Sequence, residues 1–450
     1  MEIKTVLIAN RGEIARRIMR TCRAKGIRTI AVHSEADVDM PFVREADVAV
    51  CIGPPPVAKS YLNMEAILVA AKEHGADAIH PGYGLLSENG TFASRCAEEG
   101  IVFIGPRPAV MDAMGDKIRA RAAMVEAGVP IVPGYDESIP TAEDACRIAA
   151  QIGYPVMLKA SAGGGGIGMQ ICRDEEEIMK AFQSAKGRAK AYFGNDAMFI
   201  EKYIENPHHI EVQVVGDEQG AIVHLLEREC SIQRRHQKVI EESPSPFLDV
   251  ATREAVCAAA VRAAQAVNYT GVGTVEFIMG EDKAFYFLEM NTRLQVEHPV
   301  TESITGFDLV ELQLTIAEGH PIPFVQKDVI AHGHAIEMRI YAEDPNTFFP
   351  SPGTIIAYVS PEGDGIRIDD AVQSGTTISP FYDPMIGKLI ASGTTREEAL
   401  DRARKAIQQY EITGIKTNLS MLADVLEDER FAVGTYTTSF VETMKRTTTK

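Results

Sequence analysis

The chain has no apolar run approaching the roughly 20 residues that a bilayer-spanning helix needs, and no C-x-x-C pair among its 7 cysteines. It also has no surplus of positive charge. The first absence excludes a helical membrane span. Met1–Thr5 runs straight into a strand, with no room for a signal peptide. Cysteines scattered singly argue against a disulfide framework or a paired-cysteine metal site and fit reduced thiols, so the expected compartment is the cytoplasm. Lys and Arg number 45 against 63 Asp and Glu, a formal charge of −18, which repels nucleic acid overall. An anionic ligand must then be drawn in by local clusters of Lys, Arg and His. Two nucleotide signatures are missing as well. A single glycine follows the first strand (Asn10-Arg11-Gly12) where a dinucleotide site wants G-x-G-x-x-G, and no Gly-Lys-Ser/Thr follows the run Gly163–Gly168.

What remains is an ordinary globular composition, 45% hydrophobic and 24% charged over 450 residues. That length suggests about three folding units of roughly 150 residues. The opening alternates strands and helices: strand 5–9, helix 13–25, strand 28–32, strand 48–52, helix 63–74, strand 76–79, helix 92–98 and strand 102–104. This βαβ order predicts a parallel sheet covered by helices. Arg16, Arg17, Arg20 and Arg23 on the first helix are read as a solvated face or a contact between subunits. The segment His80–Asn89 lies just past a strand's carboxyl end, where ligands bind in open α/β sheets.

A helical run from Pro106 to Ala127 includes Lys117. The stretch 128–134, with two prolines and two glycines, reads as a linker. An α+β unit follows: helix 142–152, strand 156–159, glycine loop, strand 169–172, helix 175–190 and strand 198–201. It is a candidate mobile lid. Consecutive glycines leave backbone N–H groups free to wrap a phosphate, and Lys159 beside them favours nucleotide phosphates over a merely flexible hairpin. Strands 210–216 and 221–226 precede Glu227–Lys238, the densest basic cluster of the chain. A helix at 309–318 and a strand at 335–341 carrying Arg339 come later. Residues 350–440, with a strand at 354–359 and helices at 396–410 and 419–426, carry no evident chemistry.

The most committed stretch is the hairpin formed by strands 273–279 and 284–291. Each strand sets one carboxylate, Glu276 or Glu289, among large apolar residues, a costly placement without a cationic partner. In an extended chain, alternate residues share a face, so Glu289, Asn291, Arg293, Gln295 and Glu297 could all face one cleft before Pro299 stops regular pairing. Glu276, Glu289 and Asn291 offer only oxygen donors, which suits Mg²⁺ or Mn²⁺. With Lys117, Lys159 and the glycine loop they describe a site for ATP held by metal and cations. Lys238, Arg293 and Gln295 form a second anion site, and Glu297 is placed as a general base.

Together, Ile8–Ala15, His80–Asn89, Arg234-Arg235-His236-Gln237-Lys238 and Glu289–Pro299 resemble biotin carboxylase of the ATP-grasp superfamily, over essentially the whole chain. The resemblance implies a Rossmann-like parallel sheet at 1–114, an ATP-grasp domain at 115–330 with a mobile lid at about 131–203, and a C-terminal α+β biotin carboxylase domain at 331–450. ATP would be contacted by Lys117, Lys159, Gly163, Gly164, Gly165, Gly166, Ile167, Gly168 and Met169. Glu201, Lys202, Tyr203, Ile204, His209, Gln233, His236, Glu276, Ile278 and Glu289 would complete its site. Glu276, Glu289 and Asn291 would hold two Mg²⁺ or Mn²⁺ ions. Lys238, Arg293, Gln295 and the Val296 backbone would bind bicarbonate, Glu297 would deprotonate it, and Arg339, with Tyr83 and Gly84 nearby, would stabilise the biotin enolate. The implied activity is carboxylation of N1′ of biotin through carboxyphosphate, in acetyl-CoA carboxylase or a related acyl-CoA carboxylase. The implied partners are a second copy of the chain, a biotin carrier and a carboxyltransferase in trans, since no Ala-Met-Lys-Met motif occurs and Thr443-Met444-Lys445-Arg446 is a poor substitute. Ile167 and Gln170 stand where many relatives carry basic residues, which reduces the lid's charge. The rival readings are another ATP-grasp ligase, such as a carbamoyl-phosphate-forming enzyme, a non-enzymatic scaffold, and a hydride-transfer enzyme.

Overall fold

The computed structural model describes residues 2–160, 169–193 and 197–444. Its contacts divide the chain into two compact units, one of residues 1–129, 208–277 and 289–450, the other of residues 130–207 and 278–288.

The first unit opens with five parallel strands in the order Val48–Gly53, Arg28–Ser34, Thr5–Ile8, Ala78–His80, Val102–Phe103. Short apolar runs broken by Gly and polar turns fold this way because each crossover helix buries one face of the sheet. Strand order reverses beside Thr5–Ile8, so the loops after that strand and after Ala78–His80 open side by side at a topological switch point. Asn10 locks them together, its Nδ2 donating to the carbonyls of Pro81 at 2.7 Å and Tyr83 at 2.8 Å. Gly82, at φ +64°, packs so closely on Asn10 that an added Cβ would lie 2.9 Å from Nδ2.

The helix Gly12–Ala24 differs from its expected role. Arg17 is buried and donates to Glu302 at 2.6 Å and Asp308 at 2.8 Å, while Arg20 reaches Asp369 at 2.8 Å. Much of the arginine-rich face is thus an intrachain ion-pair seam.

A second sheet has eight strands, Phe285–Asn291, Gly271–Met279, His208–Gly216, Ile222–Arg234, Gln237–Ser243, His334–Tyr341, Met385–Gly393 and Ile366–Asp370, of which residues 278–279 and 285–288 are counted in the second unit and the rest in the first. From the His208–Gly216 strand onward, each strand pairs antiparallel with the next. Here the structure corrects several expectations. The strand expected at 221–226 continues to Arg234, so the basic cluster is mostly interior, with Arg228 fully buried. The helical run after Pro106 is two helices, Pro108–Gly115 and Lys117–Glu126, separated by Asp116, whose carboxylate caps the second. The strand expected at 354–359 is two fragments, Gly353–Thr354 and Tyr358–Val359, with different partners. Beyond Asn291 the chain leaves the extended state, and Pro299 lies at the start of the helix His298–Thr305, where its missing N–H costs nothing.

The second unit is a four-stranded sheet, Gly134–Ile139, Met198–Lys202, Val156–Ala160 and Met169–Cys172. Two helices, Ala142–Ile152 and Glu175–Phe193, pack on it. Val156, Leu158, Ile178, Phe182 and Ile200 form a core of its own.

Candidate active site

Apart from Ile278, the candidate site residues of the eight-stranded sheet lie in the first unit. The His208–Gly216 strand alternates His209, Glu211 and Gln213 with Ile210, Val212 and Val214, so one face is polar although Glu211 and Gln213 are wholly buried. Arg228 lies opposite Glu211 on the next strand and donates to it at 2.5 Å, to Gln213 at 2.7 Å and to Thr301 at 2.9 Å. Lys238 and Glu241 are three residues apart and would point to opposite faces of a regular strand. The register shifts between the Ile232–Ile240 and Gln233–Lys238 pairs, and both side chains reach the same cluster, as such irregularities allow.

Lys238 is the centre of that cluster. Its Nζ donates to Glu211 at 2.5 Å, Glu276 at 2.9 Å and Glu297 at 2.8 Å. Burial alone would lower the lysine's pKa, but the three carboxylates hold it well above the ordinary range. Glu276 Oε1 also accepts from Asn291 at 2.9 Å and Gln295 at 2.8 Å, while its Oε2 lies 2.7 Å from His209 Nε2. Gln233 in turn lies 2.8 Å from His209 Nδ1. Burial would raise the Glu276 carboxyl; Lys238 and His209 pull it below the ordinary carboxylate range instead.

Glu297, also buried, gives Oε1 to Lys238 and Oε2 to Arg339 at 3.0 Å. Against burial, Lys238, Arg339 and Arg228 hold it well below the ordinary range. It is therefore ionised and able to accept a proton, and it becomes a stronger base when an incoming anion shares its two cations. Arg293 Nη2 donates to Asn291 Oδ1 at 2.9 Å, Nη1 approaches Gln295 Oε1 at 3.3 Å, and Nε holds Glu88 at 3.0 Å. Asn291, Arg293, Gln295 and Glu297 gather through these hydrogen bonds, whereas Glu289 is exposed and interacts with Glu276 and Lys238 through charge; strand alternation is not the cause past Asn291. The turn that enters the helix at His298 brings Gln295 and Glu297 inward.

The carboxylates also fit a divalent cation. Glu289 is raised by burial and then by the charge of Glu276, with Lys117 among the cations that oppose the shift. Two acids that repel one another, with Asn291 next to Glu276, offer carboxylate and amide oxygens of the kind Mg²⁺ or Mn²⁺ prefers, although here the Asn291 Nδ2 donates to Glu276 and its Oδ1 accepts from Arg293.

Glu211 was not singled out from the sequence, although the alternation of polar and apolar residues from His209 to Val214 signals it. Lys388 was missed too, because residues 350–440 seemed to carry no chemistry. It is fully buried, donates to the Val296 carbonyl at 2.8 Å and pairs with Glu13 at 3.2 Å. Glu13 also accepts from the Tyr83 hydroxyl, and Gly84 is exposed at the neighbouring turn. His236 is exposed in a two-residue hairpin with Arg235, at φ +67° and +49°. Neither is glycine, so each costs about 1–3 kcal/mol, strain of the kind that clusters at functional sites.

In the second unit, Lys159 pairs with Glu201. Lys202 is engaged elsewhere, its Nζ donating to the Gly153 carbonyl at 2.9 Å and the Tyr154 carbonyl at 2.7 Å. Tyr203 N–H donates to the Pro155 carbonyl at 3.0 Å, and Ile204 and Ile278 are half-buried. Gly163 to Gly168, including Ile167, lie outside the described residues, as do Lys445 and Arg446. Met169 opens the strand that follows the glycine loop, and Gln170 is exposed on it.

Three family profiles tile the chain: the biotin carboxylase N-terminal domain at residues 2–111, the carbamoyl-phosphate synthase L chain ATP-binding domain at 116–325, and the biotin carboxylase C-terminal domain at 337–443. The chain is 59% identical over 438 residues to a biotin carboxylase of Halalkalibacterium halodurans, covering 97% of each chain. It is 52% identical to the human mitochondrial propionyl-CoA carboxylase alpha chain, covering 97% of this chain and 60% of that one. Among solved structures, the biotin carboxylase domain of a thermophilic 2-oxoglutarate carboxylase bound to bicarbonate superposes with a TM-score of 0.94 at 48% identity, covering 98% of each chain. The Hydrogenobacter thermophilus 2-oxoglutarate carboxylase domain dimer, with MgADP, ADP and bicarbonate, gives 0.88 at 49% identity, again covering 98% of each.

Proposed function

The chain belongs to the biotin carboxylase family, and on that premise we propose that it carboxylates N1′ of biotin presented by a separate carrier protein, using ATP and bicarbonate. The observation that carries this reading is Lys238 bridging Glu276 and Glu297. One acid belongs to the metal set, the other touches Arg339, and the lysine between them fits the anion that must react with both neighbourhoods.

In this mechanism bicarbonate lies against Lys238, Arg293, Gln295 and the Val296 backbone, taking over cations now held by internal carboxylates. Glu297 accepts its proton as the bicarbonate oxygen attacks the γ-phosphorus of ATP, and ADP leaves. The resulting carboxyphosphate breaks to CO₂ and phosphate. The released phosphate takes the N1′ proton of biotin, Arg339 neutralises the enolate oxygen that results, and N1′ then bonds to the CO₂, with Tyr83 and Gly84 beside the ring. Positioning and charge neutralisation supply most of the rate. Glu276, Glu289 and Asn291 would hold two Mg²⁺ or Mn²⁺ ions, which neutralise charge on the β- and γ-phosphates when bound. Lys117, Lys159, His209, Gln233, His236, Ile278 and Glu201–Ile204 would hold ATP, with residues 163–169 over its phosphates.

The proposed division is 1–114, 115–330 with a lid at about 131–203, and 331–450. A homodimer, a biotin carrier and a carboxyltransferase of an acyl-CoA carboxylase are the proposed partners. No helix among the described residues is long and apolar enough to cross a membrane.

The test is ADP release with ATP, Mg²⁺ and bicarbonate, with and without biotin, alongside capture of labelled carboxybiotin. Bicarbonate dependence with stimulation by biotin is expected. Dependence on ammonia or glutamine, with indifference to biotin, would overturn the proposal.

A further inference from the structure

The strands Gln237–Ser243 and His334–Tyr341 set Glu241 and Glu337 directly opposite one another, and both side chains are wholly buried. Like charges in that position destabilise a sheet, and an unpaired buried carboxylate is costly enough that it normally takes up a proton. Neither oxygen of Glu337 nor of Glu241 has a hydrogen-bond partner among the described residues. Glu241 has only an ion-pair contact of 2.6 Å with Arg339 Nη2, outside hydrogen-bond alignment.

The nearby cations are already shared. Arg339 holds Glu297 at 3.0 Å. Lys388, on the Met385–Gly393 strand, serves the Val296 carbonyl and Glu13. Lys238 is divided among Glu211, Glu276 and Glu297. The Tyr83 hydroxyl is committed to Glu13. From the helix His298–Thr305, buried His298 is held well below the ordinary histidine range by burial and Lys388, so it adds no positive charge. On the helix Arg396–Gln409, Arg396 pairs with Glu242, which also meets His334. Carboxylates therefore outnumber the cations around Glu241 and Glu337.

We propose that Glu241 and Glu337 share one proton at neutral pH and, as positioning residues, set how much of the Arg339 charge is free for the substrate. Burial raises both acids: Glu241 goes to about 7, with the charge of Glu297 adding to burial and Arg339 opposing it, and Glu337 goes well above the ordinary range, with the charge of Glu241 adding to burial and Lys388 opposing it. While the proton is held, the pair carries a single negative charge. Losing it in alkali places a second beside Arg339, which then opposes the developing enolate. The coupling to catalysis rests on the proposed meeting of Arg339 with biotin; the shared proton does not.

Infrared difference spectroscopy on the full chain labelled with ¹³C-glutamate tests the proton directly. A protonated-carboxyl band is expected near neutral pH, fading as pH rises and absent in Glu337→Gln; Glu241→Gln provides an independent second variant. In parallel, the alkaline limb of kcat/KM for biotin should move upward by about one pH unit or more in Glu337→Gln, because an amide has no proton to lose there. No such band in the wild type, or a band unchanged in both variants, overturns the shared proton. A band lost as expected with an unmoved biotin profile overturns the coupling to Arg339. Failure of biotin to stimulate the wild-type chain is a separate result that bears on the proposed function.

Discussion

Replacing Glu211 by Gln tests the arrangement at its base. The carboxylate is wholly buried and joins two cations, Arg228 through Oε1 and Lys238 through Oε2, each at 2.5 Å. An amide of the same shape keeps one acceptor but removes the charge. Breaking a buried ion pair by neutralising one member costs about 3–5 kcal/mol, because the other charge is left uncompensated. Lys238 retains Glu276 and Glu297, and Arg228 retains its hydrogen bonds to Gln213, Thr274 and Thr301. The loss of stability should therefore fall near the low end, about 3 kcal/mol.

At the site, Lys238 is drawn further onto Glu276 and Glu297 and becomes harder for bicarbonate to recruit. Removing one of its three anchors at about 1–3 kcal/mol corresponds to roughly a 5- to 150-fold fall in kcat/KM for bicarbonate. Initial rates of ADP release at saturating Mg-ATP measure this, with chemical denaturation as the stability readout. The ATP affinity of the variant should stay near wild type, since Glu211 touches neither Lys117 nor Lys159. Wild-type kcat/KM for bicarbonate together with an unchanged denaturation midpoint would refute the assignment of Glu211 as the anchor of Lys238.

Glu297→Gln should lower bicarbonate-dependent ADP release by about 10²–10⁴-fold, the usual worth of a general base, and an unchanged rate would remove Glu297 from that role. Glu289→Gln should raise the Mg²⁺ concentration needed for half-maximal activity, and chelation should abolish ADP release in both forms; an unchanged Mg²⁺ titration would count against Glu289 as a ligand. Glu242 is pulled to about 2 by hydrogen bonds from His334 and Arg396, against burial. Because its folded pKa is depressed, it contributes stability above the ordinary carboxylate range that disappears as pH falls toward 2, about 3 kcal/mol in all. Glu242→Gln should therefore flatten the acid limb of melting temperature against pH, and an unaltered limb would argue against this linkage.

Much of the site could be read from local pattern. The hairpin strands announce themselves by aromatic and β-branched residues, and Glu276 and Glu289 stand out as acids in apolar company. The polar run from Asn291 to Glu297 is too regular in residue type to resemble a solvated loop. The pairing of Glu241 with Glu337 escaped notice because two acids 96 positions apart in a chain have no local relation. The basic run before Lys238 showed its charge in the sequence but not its partners, because the buried acid Glu211 that meets Arg228 and Lys238 comes from another strand. The helix Val250–Ala266 also went unassigned, its alanine-rich face giving little contrast between buried and exposed sides.

By itself, the sequence determined the parallel opening sheet, the oxygen-donor character of the metal candidates, and a short segment carrying acid, amide and arginine in close succession. These follow from period, residue type and neighbours in the chain, which act over a few residues. The tertiary structure alone decided which acid meets which cation. Strand register, the irregularity near Lys238 and the turn into the helix at His298 bring Glu211, Glu276 and Glu297 onto one ammonium, and Glu241 and Glu337 against one another. Electrostatic energy depends on distance through the folded interior, and separation along the chain does not encode that distance.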